Sequence, residues 1–165
     1  MTTKKRIEIT DEEKKFFLED ELQVKIRPSS IADINHIMEI EKASFQEDAY
    51  SEKQFEEMYK ENPDWFFVAE ISSQIVGYVA GLSSNGIGEF DSIAVEPSYR
   101  NLGIGRKLSK HMIKQFFEKG INEYALEVRK SNVSAIYLYQ TIGFEIDKEI
   151  KNYYDKEDAF LMRKR

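Results

Sequence analysis

Ile31, Ile34, Ile37 and Met38 recur at helical spacing behind Ser29 and Ser30, either of which can cap a helix, and the pattern runs to about Ala43. Ser51 with Gln54 repeats a capping-box pattern and starts a second helix that Asn62 and Pro63 end, which leaves Ser44 to Tyr50 as a loop. The period then changes to that of strands. Trp65 to Ile71 and Gln74 to Leu82 read as strands joined at Ser72-Ser73, with Ile87 to Val95 as a third after Asn85-Gly86. Gly103 to Lys119 carries Ile104, Leu108, Met112 and Phe116 on one helical face and stops at Gly120. Beyond it the pattern predicts a strand over Glu123 to Arg129, a helix over Asn132 to Thr141, and a hairpin of Phe144 to Ile150 with Asp158 to Arg163. Val24 to Arg27 is a short strand stopped by Pro28.

This order implies an α+β fold, a mixed and mainly antiparallel sheet flanked by helices on both faces. Thr10, Asp11, Glu12 and Glu13 open a short helix through about Leu22, so residues 1–22 read as an N-terminal helical appendage to one domain over residues 23–165. Charge narrows the partners. With Asp+Glu 30 against Lys+Arg 24 the net charge is -6, which disfavours direct nucleic-acid binding and favours an uncharged or cationic partner. A cysteine count of 0 excludes disulfides, thiolate metal sites and a cysteine-linked acyl intermediate. His36 and His111 lack ligand-like spacing and read as surface or packing residues, so no metal is expected. No apolar run approaches a membrane span, and Met1 to Arg6 is followed by no signal-type apolar stretch, so the chain reads as cytoplasmic with no membrane partner.

One segment carries candidate chemistry of its own. Arg100-Asn101-Leu102-Gly103-Ile104-Gly105 lies between a strand with its turn, Pro97 to Tyr99, and a strongly amphipathic helix. Glycines there let an anion such as a pyrophosphate approach backbone N–H groups, helped by the helix dipole and by Arg100 or Arg106. The same glycines could simply soften a loop and a helix start. The spacing fits neither a nucleotide-triphosphate loop nor a dinucleotide fingerprint.

Arg100-x-x-Gly103-x-Gly105 resembles the acyl-CoA pyrophosphate loop of the GNAT acetyltransferase superfamily. The run Leu126-Glu127-Val128-Arg129-x-Ser131-Asn132 follows, then Ala135-Ile136-x-Leu138-Tyr139, Gly143-Phe144, Asn152-Tyr153-Tyr154 and Glu157-Asp158-Ala159. This ordered set is similar to the RimI-type and arrest-defective-type protein N-terminal acetyltransferases over roughly Val24 to Met162. The resemblance implies the GNAT acyl-CoA N-acyltransferase fold, acetyl-CoA as cosubstrate, and protein or peptide N-termini as substrates, with a ribosome or an auxiliary subunit as a further partner.

It also implies roles. Ile93, Ala94 and Val95 would hold the acetyl-pantetheine arm through backbone groups of a splayed strand. Arg100, Asn101, Leu102, Gly103, Ile104, Gly105 and Arg106 would surround the pyrophosphate. Asn132 and Tyr139 would line the pantetheine end, with Tyr139 approaching the sulfur or else serving as a packed helix tyrosine. Glu127 occupies the position of a glutamate taken as the base, and shares a strand face with Arg129, with which it could instead form an ion pair. Phe45, Glu47 and Tyr50 match the segment that meets the substrate's first residues, although Gln46 and Ala49 stand where prolines are often found. Glu47 could attract an ammonium or be one more solvated charge. Tyr153 and Tyr154, expected in the connection between the last two strands, would contact the peptide backbone. Two other activities compete with this reading: acetylation of a small cationic amine or lysine side chain, and a non-catalytic acyl-CoA-binding or interaction module.

Overall fold

Both hairpin turns place their central residues at positive φ, 49° and 64° at Ser72-Ser73 and 51° and 77° at Asn85-Gly86. That geometry matches the twist of the flanking strands. It folds β2 (Phe66–Ile71), β3 (Gln74–Ser84) and β4 (Ile87–Val95) into an antiparallel meander, and β1 (Lys25–Pro28) pairs along the outer edge of β2. The computed structural model describes residues 23–154 and 156–165, so the helix expected over Thr10 to Leu22 lies outside the described residues.

From β4 the chain crosses over through α3 (Ile104–Glu118) to β5 (Glu123–Arg129), which lies parallel to β4, as a helical crossover requires. α4 (Val133–Thr141) then leads into β6 (Glu145–Tyr154) and β7 (Glu157–Lys164), and β7 inserts antiparallel between β5 and β6. The result is a 7-stranded sheet in the order β1-β2-β3-β4-β5-β7-β6. This is the mixed, mainly antiparallel sheet that the sequence predicts.

Alternation within the strands fills two apolar layers. Phe66, Val68, Tyr78, Ala80 and Ala94 pack against Ile37, Met38 and Ile40 of α1 (Ile34–Phe45) and Phe55 of α2 (Glu52–Glu61). Phe67, Ala69, Val79, Phe90, Leu126 and Val128 face the other way, toward Leu108, Met112 and Phe116 of α3 and Tyr139 of α4. His111 sits edge-on to Phe67 at 4.6 Å, a packing role as expected, and His36 is exposed.

Several boundaries differ from expectation. Ile31 is 58% exposed and belongs to a 3-10 turn before α1, held by Asp33, whose carboxylate accepts from Ser30 N–H at 2.7 Å and from Arg27 at 2.8 Å. α1 continues past Ala43 to Phe45, because Phe45 still packs on the apolar layer, and Gln46 at φ 49° then breaks the helix. The expected loop from Ser44 thus shrinks to the 3-10 turn Gln46–Asp48 and a short link to α2. β6 runs past Ile150 to Tyr154, so Tyr153 and Tyr154 extend the strand instead of lying in the connection. Asp158 supports this extension by accepting from Asn152 N–H at 2.9 Å, where Asn152 adopts φ 50° beside an irregularity in the pairing.

Candidate active site

Strands β4 and β5 pair only from Ile87 with Glu123 to Phe90 with Leu126. Beyond that point β4 continues from Asp91 to Val95 and β5 from Glu127 to Arg129 with no ladder between them. A cleft of about 490 Å³ occupies the gap, walled by Ile93, Glu127, Arg129, Asn132, Tyr139, Tyr154 and the end of α1. The gap coincides with an irregularity in β4: Ala80 pairs with Ser92 and Gly81 with Phe90, so Asp91 has no partner in β3 and forms a bulge.

At the α3 side, Gly103 caps the helix at φ 81° and has no side chain to satisfy the first N–H groups, so these remain directed at whatever approaches the helix start. Asn101, also at positive φ (62°), shapes the preceding turn. Arg100 does not stand free over this loop: its guanidinium donates to Val95 O and Ser44 Oγ, both at 3.0 Å, and so ties β4 to α1. Arg106 donates to Thr141 Oγ1 at 2.8 Å and joins the starts of α3 and the end of α4. Leu102 is half-buried here, and Ile104 lies within the core.

At the β5 side, Tyr139 is 6% exposed, lines the cleft, and stands edge-on to Phe144 at 5.9 Å. Burial first, then neighbouring Tyr154, drives its phenol far above the usual range, so it is a neutral hydrogen-bond donor at physiological pH. Asn132 also lines the cleft, but it precedes α4 and its Oδ1 caps the helix by accepting from Ala135 N–H at 3.2 Å. Glu127 is raised above the ordinary carboxylate range, first by burial and then by the nearby charges of Glu89 and Asp91.

Arg129 does not pair with Glu127. Its guanidinium pairs with Asp48 on the opposite wall and with Glu157 Oε2 at 3.2 Å, and lies 3.9 Å from the ring centroid of Tyr154. The ion pair considered for Glu127 is therefore absent, which leaves that carboxylate open to the cleft. Burial pushes the Tyr154 phenol up to about 12. Tyr153 stacks edge-on to Tyr154 at 4.9 Å, is 49% exposed, and stays outside the cleft wall.

Of the substrate-contact candidates in the segment after α1, Phe45 and Tyr50 line the cleft and Glu47 does not. All three residues of the 3-10 turn are exposed, and Gln46 and Asp48 border the cleft while Glu47 does not. Among the described residues no group of three or more His, Asp or Glu side chains could hold a metal.

The sequence reading missed Glu41, Asp91 and Ser92, all of which line the cleft. Glu41 had a legible signal, since it falls four residues after Ile37 and three after Met38 on the apolar stripe of α1. For the bulge the signal was a phase change, Phe90 at an even position and Ile93 with Val95 at odd ones.

Comparison with known proteins gives a consistent answer. The sequence model of the Acetyltransferase (GNAT) family matches residues 34–144. An uncharacterized N-acetyltransferase of Methanocaldococcus jannaschii is 37% identical over 142 residues, covering 85% of this chain and 90% of that protein. An N-alpha-acetyltransferase of Sulfurisphaera tokodaii is 36% identical over 154 residues, covering 85% and 92%. The crystal structure of the ribosomal-protein-S18-alanine N-acetyltransferase from Escherichia coli superposes with a TM-score of 0.78 at 28% identity, covering 86% of this chain and 93% of that one.

Proposed function

The chain belongs to the GNAT acetyltransferase family, and from that premise we propose that it transfers the acetyl group of acetyl-CoA to the α-amino group of protein N-termini by direct attack in a ternary complex. The observation that carries the substrate class is the likeness, over most of both chains, to a protein named N-alpha-acetyltransferase. A cleft lined by Glu41, Asp48, Asp91 and Glu127, beside the arm of β4 from which the chain runs on to the start of α3, supports the reading.

The pyrophosphate of acetyl-CoA meets the N–H groups at Gly103 to Arg106, where the helix dipole favours an anion. Its thioester lies along the unpaired β4 edge at Ile93, Ala94 and Val95, toward Tyr139. An α-amine has a reference pKa near 8, so a modest base suffices to free its lone pair, whereas a lysine amine near 10.4 asks for more. Glu127, raised by burial, takes that proton directly or through water. The nitrogen then attacks the acetyl carbonyl carbon, the C–N bond forms, the C–S bond breaks, and the second proton of the nitrogen passes through water to the departing thiolate. Tyr139 donates a hydrogen bond to the leaving thiolate, with proton transfer late if at all, because a phenol so raised is the weaker acid. Phe45, Tyr50 and Tyr154 contact the first residues of the peptide.

The test is acetyl-CoA turnover with short peptides, with the α-amine free or blocked. Transfer that vanishes on blocking supports the proposal. Transfer that survives on a lysine side chain, or that occurs only with polyamines, refutes it in favour of the small-amine reading, which the carboxylates along the cleft also suit.

A further inference from the structure

Asp91 has no part in the scheme above. Up to Phe90, the even-numbered residues of β4 point into the layer of α3 and α4, where Phe90 meets Phe116 and Phe144 at ring-centroid distances of 6.1 and 5.8 Å. After the bulge the phase is reversed: Ser92 hydrogen-bonds to Glu41 of α1 and Ala94 joins the α1 and α2 layer. The inserted residue is Asp91, and such an insertion re-aims a side chain that regular alternation would send elsewhere. It lies one step beyond Phe90, the last residue paired with β5, just as Glu127 lies one step beyond its partner Leu126. The two carboxylates thus begin the two arms of the gap, and both line the cleft.

The opposite wall holds Asp91 in place. Tyr50 donates its phenol to Asp91 Oδ1 at 3.1 Å, and Tyr50 is itself fixed by its backbone N–H, which donates to the buried Glu41 at 3.0 Å. This bond orients the carboxylate through Oδ1, and Asp91 lines the cleft. Partial burial raises Asp91 against the hydrogen bond from Tyr50, and the Asp91 charge contributes to raising Glu127. An ammonium between them would favour the ionised form of both.

We propose that Asp91 is a second substrate-contacting carboxylate, which accepts a hydrogen bond from the incoming ammonium opposite Glu127 and so positions the nitrogen before its proton leaves. This rests on the amine-acetylating reading given above and deepens it. Asp91 keeps its charge through the reaction, while the proton passes to Glu127 or water and the C–N and C–S steps are unchanged. The Tyr50 hydroxyl is the positioning group behind it.

The experiment uses the full chain with Asp91→Asn, Asp91→Glu and Tyr50→Phe, and reads initial rates against acetyl-CoA with a free-N-terminus peptide, an α-blocked lysine peptide and spermidine. Asp91→Asn is expected to raise KM for the acetylated amine at least about tenfold, the scale of a lost charge-assisted hydrogen bond, and to leave KM for acetyl-CoA within about twofold. Tyr50→Phe is expected to shift the same constant in the same direction by less, and Asp91→Glu to restore part of it. An amine KM that stays within about twofold in Asp91→Asn overturns the proposal, as does an equal rise in both KM values. If Asp91→Asn does not fold, Tyr50→Phe decides by the same split. Wild-type protein that acetylates spermidine and no peptide refutes the N-terminal substrate while the Asp91 effect is still read on spermidine. Wild-type protein that acetylates no amine overturns both.

Discussion

The hydroxyl of Ser92 donates to Glu41 Oε2 at 3.1 Å, joining the residue just after the β4 bulge to the middle of α1. The Tyr78 phenol of β3 donates to the same oxygen, and Tyr50 N–H donates to Oε1 at 3.0 Å. One carboxylate, 1% exposed, therefore fixes the position of β3, of the bulged arm of β4 and of the segment that enters α2. Glu41→Ala would leave those donors facing an apolar layer. A loss of about 3 kcal/mol in unfolding free energy is expected in urea titration, against roughly 1 kcal/mol for Glu41→Gln, which keeps an acceptor.

The same residue makes stability depend on pH. Burial is the largest influence and raises Glu41, overcoming the hydrogen bonds from Tyr78, Tyr50 and Ser92 that lower it. The folded chain then holds a proton that the unfolded chain has released. The stabilisation is complete below the ordinary carboxylate range and is lost as pH rises through the higher folded-state value. Unfolding free energy measured across that interval should fall with pH in the wild type and fall less steeply in Glu41→Gln. Asp91 and Glu127 are raised as well, so the slope should diminish without vanishing.

Glu127 should appear in the pH dependence of the rate. As a base it must be deprotonated, and burial with Glu89 and Asp91 places that event above the usual carboxylate range. A rising limb of kcat/KM there, with a falling limb near the substrate ammonium value of about 8, is expected for a free-N-terminus peptide. Glu127→Gln should remove the rising limb and lower kcat by about 100-fold. An unchanged profile would assign the proton to another acceptor.

Strand and helix order was legible where an element has a clear period, as α3 does, or is bounded by chemically explicit turns, as at Asn85-Gly86 and Lys119-Gly120. The candidate segments from Arg100 to Gly105 and Leu126 to Tyr139 stand out in the sequence as motifs. What was hidden depends on relations between distant strands. The Asp91 bulge exists only in the register of β4 against β3, and the divergence of β4 from β5 only in where their ladder stops. Arg129 shared a strand face with Glu127 as expected, yet it is drawn to Asp48 and Glu157, partners 81 and 28 residues away in sequence. Local pattern also could not tell that Arg100 would be engaged by Val95 and Ser44.

Tyr139 tests the leaving-group step. Tyr139→Phe removes a hydroxyl and keeps the ring against Phe144, so the thermal midpoint should move by no more than about 2 °C. Loss of a donor to the departing thiolate should reduce kcat by about 10- to 100-fold with little change in either KM. Equal activity in the two proteins would make Tyr139 a packing residue.

Gly105 separates the needs of the fold from those of the ligand, because the two predict opposite signs. A Cβ there would meet Leu138 Cδ2 at 3.4 Å and Val95 Cγ2 at 3.9 Å, ordinary van der Waals distances, so the fold does not demand glycine. Alanine in the first turn of α3 should in fact stabilise the helix, by up to about 1 kcal/mol. A pyrophosphate drawn against the backbone would lose that approach, and KM for acetyl-CoA should rise about tenfold in Gly105→Ala while the thermal midpoint rises. Gly103 provides the contrast. At φ 81° it is strained by any side chain, so Gly103→Ala should lower stability by about 1 kcal/mol as well as weaken acetyl-CoA. If Gly105→Ala is stabilised and its KM for acetyl-CoA is unchanged, the first turn of α3 does not carry the pyrophosphate.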